Sequence, residues 1–250
     1  MRRAASGDFQ PSTKGALVVA TELPAPGFWD GKDPAKVNGG FEWALADALA
    51  HELDVKLVIH NVAFADIAAG KLGDADLALA QISATDQRRD VAQLTVPYGE
   101  TSPAAVARPG TEEDLDDLAT AQDKRWVVQG TTTLESFLDD VVRPDAAPLV
   151  VRTTDDVVSA VRDGRADVGL LDLPTALSVA ASGDVSVPAR FDREESIVGM
   201  LPKGSDNLDA IDSALRRLSA DGTVAKLRNR WLDADFTIDP HDIDVIRTHS

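Results

Sequence analysis

Apolar and polar positions follow two rhythms along this chain, one typical of strands and one typical of helices. Short apolar runs of strand length lie at 16–20, 77–80, 126–129 and 168–171, and residues 55–59 alternate as a half-buried strand does. Apolar residues also recur at helical spacing, at Phe41, Leu45 and Leu49; Leu134, Phe137, Leu138 and Val141; Val157, Val158 and Val161; Ala176 to Ala181; Leu208, Ile211 and Leu215; and Val224, Leu227 and Trp231. Because strands and helices take turns, the pattern predicts an α/β fold with mostly parallel sheets covered by helices.

Turn signals divide this pattern into two similar cycles. Asn38-Gly39-Gly40 precedes the first helix, Pro109-Gly110 separates the cycles, and Asp221-Gly222 separates the last two helices. The sequence has 250 residues, which is enough for two modest α/β domains. The two cycles therefore predict two lobes.

Composition excludes several classes of function. The formal net charge is −17 at pH 7, whereas phosphate binding needs a basic stripe, so we expect no nucleic-acid partner. The densest acidic cluster, residues 112–117, is expected to be solvated surface. The sequence contains no cysteine, which removes disulfides, thiolate metal sites and cysteine nucleophiles.

The start of the sequence has one feature of a secretion signal. Arg2 and Arg3 could begin one, but polar residues from Ser6 to Gln10 stand where an apolar run should be. We expect either that a signal was trimmed or that none existed. No stretch approaches the ~18 apolar residues that a membrane span needs.

Polar residues follow four of the predicted strands. In open α/β sheets, ligands bind beyond the carboxyl ends of the strands. The residues in question are Glu22 after 16–20; Gln81, Ser83 and Arg88 after 77–80; Gly130, Thr131 and Thr132 after 126–129; and Asp172 after 168–171. An arginine and helix-start amides suit a carboxylate, and an aspartate with a nearby hydroxyl suits an ammonium. The set therefore fits a zwitterion.

Two of these positions carry a local signal of their own. Thr132-Thr133-Leu134-Glu135 reads as a capping box, which predicts a helix that starts at Thr132 with its first amides pointing outward. Most capping boxes bind nothing, so a purely structural role is the alternative. Asp172 follows four apolar residues, and a charge there must be solvated in a cleft or paired.

The sequence resembles the type II periplasmic binding proteins, specifically family 3, the group that binds polar and charged amino acids. The resemblance covers the chain from Leu17 to about Trp231. Its landmarks are Gly40-Phe41, the stretches 70–77 and 83–89, Val96-Pro97-Tyr98, Gln129-Gly130-Thr131-Thr132, Gly164-Arg165-Ala166-Asp167 with Asp172, and the stretch 218–223 continuing to Trp231.

The resemblance implies roles for the ligand's two charged ends. Arg88 would clamp the carboxylate of an amino acid, helped by the amides of Ser83 and Thr132. Asp172 would take the α-ammonium, with the Ser83 hydroxyl and the carbonyl region of Gln81 or Ala80 nearby.

The resemblance also implies the surroundings of the ligand side chain. Phe64 would form an apolar wall, and Phe28 or Trp29 another, because Ala25 stands where the family usually has a tyrosine. Glu22 stands where an acid often faces the distal group of the ligand. It would suit a basic or amide-bearing side chain, although such acids also serve loops structurally.

The family fold has two lobes joined by two extended crossings, expected near Glu100 to Pro103 and Ser196 to Gly199. Lobe one would hold residues 1–101 and 197–250, and lobe two 102–196. The tail beyond Trp231, from Thr237 to Arg247, is expected to pack on lobe one, and contact with a partner is the alternative. The resemblance further implies hinge closure around the ligand, a membrane ABC permease as partner, an extracytoplasmic monomer and no cofactor.

Two other functions were weighed. The same fold hosts lyases such as cyclohexadienyl dehydratases, so fold alone does not exclude an enzyme. The four histidines (His51, His60, His241 and His249) show no metal-ligand spacing, and no phosphate-binding loop or serine elbow is present, so we expect no enzyme. A ligand-sensing ectodomain of a receptor is the other alternative, and it would need a flanking membrane segment or output domain.

Overall fold

The computed structural model describes residues 9–111, 115–233 and 238–248. Arg2, Arg3, acidic residues 112–114, Thr237 and His249, all named above, lie outside the described residues. The chain divides into two compact units: a first unit of Met1–Glu100 with Ser196–Ala234, and a second unit of Thr101–Glu195 with Asp235–Ser250. Each unit is built around its own sheet, so the predicted α/β class is confirmed.

The chain forms eleven strands and nine α-helices within the described residues. The strands are β1 (Ala16–Thr21), β2 (Lys56–Asn61), β3 (Leu77–Ser83), β4 (Ala92–Thr101), β5 (Pro103–Ala107), β6 (Trp126–Gln129), β7 (Leu149–Val151), β8 (Val168–Asp172), β9 (Ser186–Phe191), β10 (Glu195–Pro202) and β11 (Asp244–Ile246). The α-helices are α1 (Phe41–Glu52), α2 (Phe64–Ala68), α3 (Asp86–Val91), α4 (Leu118–Gln122), α5 (Thr133–Phe137), α6 (Thr154–Arg162), α7 (Leu173–Ala180), α8 (Leu208–Ala220) and α9 (Thr223–Arg228). Single π turns extend α5 over Leu138–Val142 and α9 over Asn229–Asp233.

The sheet of the first unit has the strand order β2-β1-β3-β10-β4. β1 pairs in parallel with β2 and β3, as the apolar runs predicted, and every residue of β1 is buried. β10 runs antiparallel to β3. The sequence pattern therefore identified the parallel part of this sheet and missed β4 and most of β10.

The sheet of the second unit has the order β11-β9-β5-β8-β6-β7. β6 pairs in parallel with β7 and β8, whereas β5 is antiparallel to β8 and β9. The chain passes between the units at Glu100–Thr101, within β4, and at Glu195–Ser196, within β10. Both passages are in extended backbone.

The placement of the tail on the first lobe is wrong. β11 pairs in parallel with β9 of the second unit, in the register Val245↔Arg190 and Ile246↔Phe191. Ile243 and Ile246 are buried in the two hydrophobic clusters of that unit. An edge strand such as β9 has backbone N–H and C=O groups that need hydrogen-bond partners. The tail supplies these partners, and its isoleucines pack against the apolar residues of the same unit. Residues 238–248 therefore belong with 101–195 rather than with lobe one.

The entry of α1 depends on a glycine. Gly40 has φ = 102°, and a Cβ there would lie 2.7 Å from the backbone nitrogen of Trp29. The amides of Glu42 and Trp43 both donate to the Phe28 carbonyl, at 3.1 Å each. This close approach fixes the start of α1 against the segment that carries Phe28 and Trp29.

Candidate functional site

Arg88 is a buried arginine of the first unit, with 6% of its surface exposed. It lies in α3, whose first turn is capped by the Thr85 hydroxyl, which accepts from the Arg88 amide at 3.2 Å. Its guanidinium donates to the Ser83 carbonyl at 2.7 Å and lies 5.5 Å from the centre of the Phe64 ring. The structure therefore brings three predicted site residues together, and the ring face and carbonyl stabilise a cation there.

Glu22 takes part in the local structure of the same unit. Its carboxylate accepts a 2.9 Å hydrogen bond from the Phe64 amide, at the first residue of α2. An acid at a helix start is stabilised by the amides that point out of it. Glu22 thus positions Phe64, which is the structural alternative that the sequence left open.

Gln81 lies near the carboxyl end of β3, as the strand pattern predicted. Its φ is +51°, a left-handed conformation that is uncommon for a residue with a side chain. Its amide donates to Oε1 of Glu42 at 2.8 Å. A strand-end residue of the expected site is therefore tied to a carboxylate in the interior.

Glu42 was not identified from the sequence. It is fully buried, and its carboxylate also accepts from the Trp29 indole at 2.8 Å and from the Tyr98 hydroxyl. Helical spacing holds a signal that could have found it, because residue 42 shares a helix face with Leu45, Ala46 and Leu49, all buried. An acid on the apolar face of a helix predicts a buried, hydrogen-bonded carboxylate.

Burial is the largest cause of the pKa shifts of Glu42 and Tyr98. Desolvation raises the pKa of Glu42 above its usual value, while hydrogen bonds from Tyr98, from the Gln81 backbone, from Trp29 and from the Gln81 side chain pull that pKa back down. Burial, and then the negative charge of Glu42, raises the pKa of Tyr98 well above its usual value. The tyrosine therefore remains a hydrogen-bond donor to the carboxylate.

Phe28 and Trp29 lie in the core of the first unit. Trp29 has no exposed surface, and its indole nitrogen donates both to Glu42 and to the Leu79 carbonyl, the latter at 3.1 Å. Phe28 is 1% exposed and packs edge-on against Phe41, with 6.0 Å between ring centres. Both rings are thus packed within the first unit, and the expectation that one of them lines the ligand pocket stays a prediction.

Thr132 is the N-cap of α5 in the second unit, as predicted. Its hydroxyl accepts from the Glu135 amide at 3.3 Å and donates to the Gln129 carbonyl at 2.7 Å. The return bond of the expected capping box differs: the Glu135 carboxylate accepts from the Thr131 amide at 2.7 Å. Thr131 has φ = +64°, and this left-handed turn brings its amide to Glu135. The helix itself runs from Thr133.

Asp172 ends β8 and is half-buried, at the position that the strand pattern gave it. Its carboxylate accepts a 3.0 Å hydrogen bond from the Thr101 hydroxyl. It precedes α7 but makes no capping bond with its side chain. Thr101 was missed because its proximity depends on the antiparallel register of β5 and β8, in which Pro103 lies opposite Asp172.

A second acid near the start of α5 was also missed. Glu195 accepts from the Thr133 hydroxyl at 2.8 Å, and its other carboxylate oxygen lies 3.4 Å from Nε of Arg193. The contact joins two segments 62 residues apart, so no local pattern in the sequence reveals it.

Each unit has a concavity away from these residues. One of about 700 Å³ in the first unit includes His60 and Asp74, whose Nδ1 and Oδ1 atoms lie 3.1 Å apart, and one of about 270 Å³ in the second includes Arg108 and Asp167. Neither is lined by a predicted site residue. Within residues 9–111, 115–233 and 238–248, no three metal-ligating side chains cluster, and no helix has the length and apolar character to cross a membrane.

Two α/β units with polar groups at their strand ends, and a chain that passes between them in extended strands, define the two-lobe fold of type II periplasmic binding proteins. A solved amino acid ABC transporter substrate-binding protein from Streptococcus pneumoniae, bound to L-arginine, has this fold. It is 28% identical, with a TM-score of 0.78 over 90% of this chain and 98% of that one.

Sequence comparisons agree with the fold. Residues 17–234 match the model of the bacterial extracellular solute-binding proteins, family 3, and this chain belongs to that family. The L-cystine-binding protein TcyJ of Escherichia coli is 27% identical over 90% of this chain and 85% of its own length. The amino-acid-binding protein AabA of Dichelobacter nodosus is 30% identical over 77% of this chain and 78% of its own. These relatives are named as binding proteins, in agreement with the description of the family.

Proposed function

We propose that this protein is the extracytoplasmic solute-binding component of an ABC-type importer and that it binds a free α-amino acid. The observation that carries the proposal is Arg88, a guanidinium that is almost wholly buried in a strongly acidic protein and is held in place by Ser83 and Phe64. A planar guanidinium matches a carboxylate through two parallel hydrogen bonds. The names of the relatives, which bind cystine, amino acids and L-arginine, support the same ligand class.

In this proposal the two charged ends of the ligand are bound by groups from both units. Arg88 takes the carboxylate, assisted by the amide of Ser83 and by the turn at Thr131 and Thr132. Asp172 takes the ammonium together with the Ser83 hydroxyl and the strand end at Ala80 and Gln81. Closure of the units is then favoured by the contacts that the ligand makes only in the closed state.

The side chain of the ligand is proposed to be polar or basic. Phe64 supplies an apolar wall for its stem, and Glu22, beside Phe64, supplies a carboxylate for a basic or amide-bearing end. The contact of Glu22 with the Phe64 amide keeps that carboxylate next to the wall. A membrane ABC permease is the proposed partner, and the protein is expected to be a monomer.

A thermal-shift screen against the twenty amino acids and cystine, followed by calorimetry of the hits, tests the proposal. A ligand at about 100 times its Kd stabilises the folded protein by about 2.7 kcal/mol. For a chain of this size that corresponds to a rise in Tm of about 5–10 °C. A flat response to every amino acid would overturn the proposal, and turnover of prephenate or arogenate would favour a lyase instead.

A further inference from the structure

Glu42 is a buried acid that the proposed ligand contacts do not use. The other buried residues of α1 are all apolar: Phe41, Ala44, Leu45, Ala46, Leu49 and Ala50. Keeping a carboxylate in such a place is costly unless every lone pair is used, and an apolar side chain of similar volume would serve packing as well or better. The acid is therefore explained by what it binds.

One of the groups it binds is the strand end of the proposed site. Oε1 accepts from the Gln81 amide and from the Tyr98 hydroxyl, and Oε2 accepts from the Trp29 indole. Tyr98 and Trp29 come from different segments, so they fix both carboxylate oxygens in space. The Gln81 amide is thus held by an acceptor that has little freedom to move.

The sheet does not hold this part of β3 in the usual way. The register with β10 pairs Ser83 and Ile82 and then skips to Ala78, with an irregularity between Val198 and Met200, and the pairing with β1 ends at Ala78. Ala80 and Gln81 fall in the skipped stretch. A left-handed φ costs a residue with a side chain roughly 1–2 kcal/mol, so the conformation of Gln81 needs a specific partner to persist.

The planarity of the peptide bond carries this constraint to the proposed site. In a trans peptide the N–H and the preceding C=O point in opposite directions. Since the Gln81 N–H points to the buried Glu42, the Ala80 carbonyl points away from that carboxylate. We propose that Glu42 is a positioning residue of the amino-acid site: by binding the Gln81 amide from the core side, it turns the Ala80 carbonyl toward the ligand's ammonium group. This inference rests on the proposed function.

The variant Glu42→Gln tests it. Glutamine keeps the shape but has one acceptor oxygen, and its NH₂ group faces a donor in either orientation. We expect affinity for the amino acid identified in the screen to fall about tenfold or more. Leu215→Ala is the matched control, because it destabilises the core of the same unit on α8, away from β3, and should leave the affinity of the folded protein within about twofold.

A second substitution separates positioning from general damage. Gln81→Gly removes the steric cost of the left-handed conformation, so the glycine chain adopts the turn with less help from Glu42. The affinity loss caused by Glu42→Gln should therefore be several-fold smaller in the Gln81→Gly background than in the wild type. A loss of equal size in both backgrounds, or none in either, would overturn the positioning role.

Two further outcomes are informative. If Glu42→Gln does not fold, Tyr98→Phe replaces it, and a two- to fivefold loss of affinity that shrinks in the Gln81→Gly background supports the proposal; an unchanged affinity counts against it. If the wild-type chain binds no amino acid, the proposed function fails and this inference with it. If the wild type binds and Glu42→Gln binds equally well, only this inference fails.

Discussion

The Thr101 hydroxyl donates a 3.0 Å hydrogen bond to the carboxylate of Asp172, linking the last residue of β4 to the last residue of β8. Thr101 is buried, and one carboxylate oxygen of Asp172 is thereby oriented by a side chain that does not itself carry charge. A carboxylate oriented in this way loses rotational freedom, which prepares it for a cation.

This relationship predicts a graded response to substitution. Asp172→Asn removes the charge opposite the proposed ammonium and should weaken amino-acid binding about 10–100-fold, as loss of a hydrogen bond to a charged group does. Thr101→Val keeps the shape and removes one hydrogen bond, so about a fivefold loss is expected. Calorimetry checks both, with exposed Thr111→Val of the same unit as the control. Equal affinity of Asp172→Asn and wild type would remove Asp172 from the site.

Arg88 gives the strongest prediction about the ligand's carboxylate. Arg88→Ala leaves that carboxylate unpaired in the bound state, at a cost of about 3–5 kcal/mol, or roughly a 10²–10³-fold loss of affinity. Arg88→Lys keeps the charge but lacks the planar pair of donors. Its affinity for the amino acid should therefore lie between that of Arg88→Ala and that of the wild type. Arg89→Ala, on an exposed neighbour in the same helix, is the control. A change of less than tenfold for Arg88→Ala would show that the clamp is assigned wrongly.

Much of the fold could be predicted because parallel strands leave a clear pattern. β1, β3, β6 and β8 are buried on both faces, so each appears as an unbroken apolar run. β5 is just as buried, but Pro103 and the flanking polar residues give its sequence the pattern of a connecting segment rather than of a strand. β11 has only three residues, and its partner is decided by the open edge of β9, which no local pattern encodes.

The residues of the candidate site also fall into those that the sequence predicts and those that it does not. Residues at strand ends, such as Arg88 and Asp172, follow from the strand-end rule together with the family resemblance. Thr101 and Glu195 were missed because their contacts join segments 71 and 62 residues apart, whereas Glu42 has a local signal in its position on the apolar face of α1. Trp29 has a role that the sequence did not predict, because its indole donates a hydrogen bond to the buried Glu42.

The position of the tail predicts where its substitutions act. Ile246 is 1% exposed and shares a cluster with Trp126 and Phe191, so Ile246→Ala should destabilise the second unit by about 2–4 kcal/mol. Val245, its neighbour on the other face of β11, is 41% exposed, and Val245→Ala should cost less than about 1 kcal/mol. Hydrogen exchange of the β5 and β9 amides across a urea series measures both. Equal effects would contradict the burial of β11 against β9.

The ion pair between Arg125 and Asp167 predicts a pH dependence of stability in the second unit. The Asp167 carboxylate accepts two bonds from the guanidinium, at 2.6 and 3.0 Å, and one from the Arg125 amide. The hydrogen bond from the Arg125 side chain is the largest cause that lowers the pKa of Asp167 below its usual value. The folded state therefore binds this proton less tightly than the unfolded chain does.

The sign follows from proton linkage. With the folded pKa lower, the stabilisation is present at pH values above about 4, the usual aspartate pKa, and is lost as the pH falls through the lowered value. Both side chains are substantially exposed, so solvent screening limits the effect at neutral pH to about 0.2–1 kcal/mol. Asp167→Asn should remove that stabilisation at pH 7 and leave the free energy of unfolding at about pH 2 nearly unchanged. Hydrogen exchange of β6 and β8 at the two pH values measures it, with Asp163→Asn, which breaks the exposed 3.3 Å pair with Arg162, as the control. An equal loss for Asp167→Asn at both pH values would mean that its bonds to Arg125 do not depend on its charge.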